Sequence, residues 1–129
     1  MVESYAVHDP ADAEPTPSEG SGTPQVDLAD VLGCEAVRAR VWRLSPGDAL
    51  VHHRHREQEE LYVCLRGPGR LYVDGERVTV PEGGIVRVPP PTPRQLFNDT
   101  DREHEWLVVG APPVERDGVH DVGEGVTLG

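Results

Sequence analysis

Lysine is missing from this chain of 129 residues; all 12 of its basic residues are arginines, set against 23 acidic ones for a net charge of −11. Nucleic-acid binding rests on neutralising phosphates with Lys and Arg, and so does attraction to anionic membrane surfaces; a surface this acidic excludes both as partners. An acidic coat keeps a protein soluble, and in a salty cytoplasm screening relaxes its self-repulsion, so the charge reads as that of a solubility-tuned or halophilic protein. Long apolar runs are missing too: no stretch approaches the 18 residues that a spanning helix needs. The N-terminus has no basic stretch leading into an apolar one, which sets aside a signal peptide. Cysteine occurs only at Cys34 and Cys64, without a CxxC pair or a Cys/His zinc spacing. The expectation is a cytoplasmic protein with reduced thiols. Aromatics make up only 5% of the chain.

What is abundant is valine, 19 residues of it, together with 13 prolines and 14 glycines. Valine suits the pleated, half-buried surface of strands, and the Pro and Gly supply frequent turns. The class is all-β. Residues 1–25 read as an arm, partly flexible, rich in Pro, Glu, Ser, Thr and Gly over Asp9–Pro24, with Ser4–His8 a candidate short strand. Asp27 can cap and Gly33 can close one short helix. Residues 26–113 form the body. Candidate strands are Ala36–Leu44, Ala49–Arg54, Leu61–Arg66, Arg70–Val73, Glu76–Val80, Ile85–Val88, Arg94–Asn98 and Glu105–Gly110. Asp74-Gly75 is a two-residue hairpin turn. Eight short strands at this spacing suggest a sandwich or barrel. Residues 114–129, polar and glycine-rich with Val122 and Val126 as anchors, read as a loose tail.

The chemistry is concentrated at His53-Arg54-His55 and Glu60. Imidazoles two apart on a strand share a face, and a carboxylate on the neighbouring strand can meet them across the ladder. Two neutral nitrogens and one carboxylate oxygen suit a divalent transition metal such as iron, manganese, nickel or zinc. The alternation that points Glu60 inward places Glu59 outside. Tyr62, Leu96 and Asn98 share strand faces with Glu60 and Arg94 and should line the same cavity. Tyr62 either orients a substrate or packs with its hydroxyl satisfied. Cys64, in phase with Glu60 and Tyr62, reads as a small buried hydrophobe. His52 points away from His53. His104 lies in a charged turn, His8 and His120 lie in the tails, and Trp42 and Trp106 are packing or subunit-contact residues.

The frame Gly47, His53, His55, Glu60, Gly67 resembles the first motif of the cupin family, small β-barrels of the jelly-roll type. Glu59-Glu60-Leu61-Tyr62-Val63-Cys64-Leu65-Arg66-Gly67 looks like that family's second-strand segment. Gly83, Pro89 and Asn98 match part of the second motif, but Pro91 stands where the pattern has glycine and Arg94 where it has a fourth metal ligand, a histidine. The resemblance covers about Ala36 to Pro112. It implies a jelly-roll barrel of about eight strands, a metal on His53, His55 and Glu60, and a homodimer. Arginine has five donors, no acceptor lone pair and a charge it does not lose, so it cannot replace the histidine as a ligand. Two arrangements follow. Either the metal stays and Arg94 clamps a substrate carboxylate, or Arg94 pairs with Glu60 and the barrel holds no metal. The corresponding functions are a metal-dependent enzyme acting on a small anionic organic molecule, a dioxygenase or an isomerase, and a non-catalytic barrel that binds a sugar or organic acid.

Overall fold

In the computed structural model, which describes residues 4–129, strands dominate and one short α-helix lies between the second and third of them. The first paired segment is a small hairpin, β1 (Thr16–Pro17) and β2 (Pro24–Asp27). The helix α1 (Leu28–Leu32) starts where expected: the Asp27 carboxylate accepts from the Asp30 N–H at 3.1 Å, and Gly33 closes it at φ 72°. The body follows as β3 (Arg38–Leu44), β4 (Arg54–His55), β5 (Glu59–Arg66), β6 (Gly69–Val73), β7 (Glu76–Val80), β8 (Ile85–Val88), β9 (Arg94–Phe97), β10 (His104–Ala111) and β11 (Gly118–Val119). Asp74 and Gly75 make the β6–β7 turn at φ 50° and 79°, the doubly positive geometry that the Asp-Gly pair predicts.

These strands form a six-stranded sheet in the order β1-β2-β3-β10-β5-β8, a three-stranded sheet β7-β6-β9, and the pair β11-β4. The larger sheets face one another without closing into a continuous barrel. Between them lie Leu44, Tyr62, Cys64, Leu71, Val80, Val88, Leu96, Trp106 and Val108. Each such side chain taken fully out of water contributes about 1.5–3 kcal/mol, which lets so aliphatic a chain hold its shape. β10 sits between β3 and β5, and its alternate residues His104, Trp106, Val108 and Gly110 all point inward. Gly69 must be glycine, because a Cβ there would run into the Trp106 indole.

Four expectations need correction. Ser4–His8 forms no strand. Ala49–Arg54 is no continuous strand: Ala49 and His53 make single bridges to Phe97 and Arg94, and regular pairing starts only at Arg54. His104 is not in a solvated turn; it opens β10, is 1% exposed, and hydrogen-bonds Thr100 Oγ1 through Nε2 at 3.0 Å. The C-terminal segment is not loose. Gly118 and Val119 pair with His55 and Arg54, Val119 and Val126 are buried, and the Gln95 amide both donates to the Val126 carbonyl and accepts from its N–H. The reason lies in β9: the Gln95 Nε2 also donates to the Leu50 carbonyl of the body, but its buried Oε1 finds its donor in the Val126 N–H. Met1–Glu3 of the N-terminal arm lie outside the described residues. No helix among the described residues is long and apolar enough to cross a membrane.

Candidate metal and ligand site

A cavity of about 860 Å³ opens on the inner face of the six-stranded sheet, and His53, His55, Glu60, Tyr62 and Leu96 line it as expected. One donor atom each from His53, His55 and Glu60 lie within 4.8 Å of one another. Two outward hydrogen bonds aim the imidazoles. The His53 Nδ1–H donates to the Val51 carbonyl at 2.9 Å, and the His55 Nδ1–H donates to Asp117 Oδ2 at 3.1 Å. A carbonyl and a carboxylate can only accept, so the free lone pair of each neutral ring is on Nε2, turned toward Glu60. Burial lowers the His53 pKa to about 4 despite the opposing pull of the Val51 carbonyl and the Glu60 charge, so this imidazole is neutral at pH 7.

Glu60 stays ionised. Burial pushes its carboxyl up, but the hydrogen bond and charge of His55 when its Nε2 carries a proton, the charge of Arg94 and the Tyr62 hydroxyl together hold it below the usual value. Its Oε1 gathers all three neighbours: the Tyr62 hydroxyl donates at 2.9 Å, His55 Nε2 lies at 3.4 Å and Arg94 Nε at 3.7 Å. Among the described residues Oε2 has no partner. Burial, and next the Glu60 charge, raise the Tyr62 hydroxyl well above its ordinary pKa, so it remains a donor. The donor set fits a divalent transition metal: two Nε2 lone pairs and a free carboxylate oxygen converge, each ligand held from behind.

Arg94 is fully buried and is no cavity wall. Its Nη2 donates to the carbonyls of Pro89 at 2.9 Å and Val88 at 3.4 Å, its Nη1 reaches that of Pro90 at 3.5 Å, and its Nε has no hydrogen-bond partner. The expectation that it clamps a substrate carboxylate is therefore corrected: both Nη atoms are turned to the β8–β9 turn, whose Pro89 and Pro90 carbonyls also accept from the N–H groups of Thr92 and His55. Asn98 is corrected as well. It is fully buried, its Nδ2 donates to the carbonyls of Leu44 and Arg102, and its Oδ1 accepts from Thr100, so it ties the β9–β10 turn to β3 and does not face the cavity. Glu59 points out and meets Arg87 at 2.7 Å, while Cys64 is buried in the core. His52 turns away from His53 to the Gly123 carbonyl, and Trp106 is core while Trp42 is half-buried at the cavity wall.

Sequence reasoning missed three contributions. Asp117 is buried; besides His55, its carboxylate accepts from the N–H groups of Glu57 and Gln58 at 2.8–3.2 Å, and these donors hold its pKa low against the upward push of burial. Arg38 and Arg40 line the cavity from β3, with the Arg40 guanidinium 5.9 Å from the centre of the Trp42 ring. Residues Pro17–Ser21 of the arm and, from the C-terminal segment, Val114–Gly118 and His120 form part of the cavity wall. Only the period of β3 signalled any of this, since Arg38, Arg40 and Trp42 alternate on one face.

A two-sheet jelly roll with a His-x-His and glutamate cluster in its cavity defines a cupin-type domain. The family model for the cupin domain matches residues 40–110, more than half of the chain, and the protein belongs to that family. Among curated relatives, an oxalate-binding protein of Thermotoga maritima is 27% identical over 93 residues, covering 68% of this chain and 77% of that one. An uncharacterized protein of Methanocaldococcus jannaschii is 31% identical over 67 residues; that match spans about half of each protein, 52% and 54%. Of solved structures, a sugar phosphate isomerase from the cupin superfamily of Silicibacter pomeroyi aligns with TM-score 0.73 and 24% identity over 83% of this chain and 76% of that one. A Bacteroides fragilis cupin aligns with TM-score 0.69 and 22% identity over 97% and 100%. At these identities the two structures speak for the fold.

Proposed function

We propose that this cupin holds one divalent transition metal on His53, His55 and Glu60 and works on a small anionic organic molecule whose charged end rests on Arg38 and Arg40. One observation carries the metal part: both Nδ1 atoms are engaged outward, so both Nε2 atoms and Glu60 converge on one point. Such an ion supplies Lewis acidity or a centre for oxygen chemistry. The chain's own residues do the rest. Tyr62 holds one oxygen of Glu60 in place, Asp117 fixes the tautomer and plane of His55, and Leu96, Val108 and Leu50 keep the wall apolar.

The anion part rests on β3. Register places Arg38 beside Gly110 and Glu60, and Arg40 beside Val108 and Tyr62, always with β10 between. Two strand spacings separate β3 from β5, roughly 10 Å. An arginine reaching across that gap leaves room for an acid of a few heavy atoms between its guanidinium and the metal donors. Among the described residues neither arginine has a salt-bridge partner, which leaves their charges for a ligand in an otherwise acidic protein. The oxalate-binding relative is by its name a protein of a small anion and points the same way.

A second reading has its own observation. Arg94 Nε lies 3.7 Å from Glu60 Oε1, and a settled pair of that kind opposes a cation and favours a metal-free binding barrel. Calorimetric titration of small dicarboxylates and a sugar phosphate into the metal-loaded protein separates the two. The metal reading predicts binding that a chelator abolishes and that Arg40→Gln or Arg38→Gln weakens roughly tenfold or more, the usual size of a charge-assisted hydrogen bond. Binding indifferent to the chelator would favour the barrel without metal. Binding indifferent to both arginines would refute their role.

A further inference from the structure

The metal reading leaves one imidazole of the cavity unused. We infer that His120 is a fourth protein donor to the same ion, supplied by the C-terminal segment; this rests on the metal reading and extends it.

The argument starts from register. Gly118 pairs with His55 and Val119 with Arg54 in the antiparallel β11–β4 ladder. Carried one residue further, the same register sets His120 opposite His53, and directly opposed residues share a face. The rings confirm that sharing: the His53 and His120 centroids are 6.4 Å apart at 84°, against 5.0 Å and 80° for His53 and His55. On its other flank His53 bridges to Arg94, which has no lone pair to give. The His120 imidazole is thus the donor-bearing side chain opposed to His53 across a strand.

The ring also leans the right way. A Cβ built on Gly118 would lie 3.9 Å from His120 Nε2, so the imidazole leans back over the residue paired with His55. Its backbone is pinned on both sides, by buried Val119 before it and by the Asp121 carboxylate 3.5 Å from Arg54 after it. The ring itself is exposed, lines the cavity, and has no hydrogen-bond partner among the described residues. Imidazoles bound to one ion through nitrogens about 2.1 Å away have centroids roughly 5–6 Å apart at ordinary coordination angles. As it stands His120 lies outside the 4.8 Å donor cluster, and binding requires its exposed side chain to turn inward from 6.4 Å. With His120 in place the ion has three imidazoles and one carboxylate, and the donor lost at Arg94 is regained from the other flank of His53.

The test uses zinc as the probe on the whole chain. Chelator competition gives the affinity, and X-ray absorption counts histidine ligands, in the wild type, His120→Ala and His120→Gln. The expected result is three histidines in the wild type, two in each variant, and zinc affinity lower by about tenfold or more in both. Two histidines in the wild type, or variants that bind zinc as tightly as it does, would overturn the inference and leave the three-donor site standing. A wild type that takes up no zinc would bring down the metal reading and this inference with it. The wild-type histidine count needs no variant, so an unstable substitution does not block the decision.

Discussion

The cavity has two sides built on opposite plans. On the sheet side, the lining residues Glu60 and Tyr62 and, behind them, Arg94 are all under 9% exposed and meet at a single carboxylate oxygen. On the C-terminal side, a two-residue strand is flanked by one buried carboxylate, Asp117, and one exposed imidazole, His120. The first side fixes where a ligand atom sits and is part of the folded core. The second side orients His55 from behind and reaches the cavity through a short, separable ladder. A site assembled this way should couple its rigid half to folding and its strap half to ligand affinity.

Glu60→Ala is the strongest way to break that contrast. It removes a metal donor and also leaves the fully buried Arg94 guanidinium without its counter-charge, so the loss in unfolding free energy should be about 3–5 kcal/mol. Chemical denaturation checks it; an unchanged midpoint would mean that the three carbonyls alone satisfy Arg94. Asp117→Asn should act in the other proportion. Two backbone N–H groups lose a charged acceptor, worth about 1–3 kcal/mol, while misorientation of His55 lowers metal affinity roughly 10–100-fold. Equal metal affinity with only a stability loss would show the strap to be structural.

The body of the fold was legible because its signals are local. Period-two valines, the Asp74-Gly75 turn and the Asp27–Gly33 caps each depend on a few neighbouring residues, and those elements form as read. His53 and His55 were legible because residues two apart share a face, and Glu60 because the alternation of β5 turns it inward; yet β4 and β5 are not paired, and the three meet across the space inside the fold and not along a ladder. What failed was long-range. Asn98 has the right strand phase, but its amide is claimed by the carbonyls of Leu44 and Arg102. Arg94 has the right face, but the β8–β9 turn consumes its guanidinium. Asp117 and His120 sit in a stretch whose composition reads as tail, and only pairing across more than 60 residues reveals their place. No period or motif announces a polar segment that docks through one carboxylate and two valines.

The claim at the centre of the account is that the converging donors hold a metal beside a buried arginine. Elemental analysis of untagged protein, purified without chelators and equilibrated at pH 7, tests it most directly. The account predicts close to one equivalent of iron, manganese, nickel or zinc per chain, falling to background in His53→Ala. Metal far below one equivalent that loading does not restore would contradict it, and would leave Glu60 as the partner of Arg94 alone.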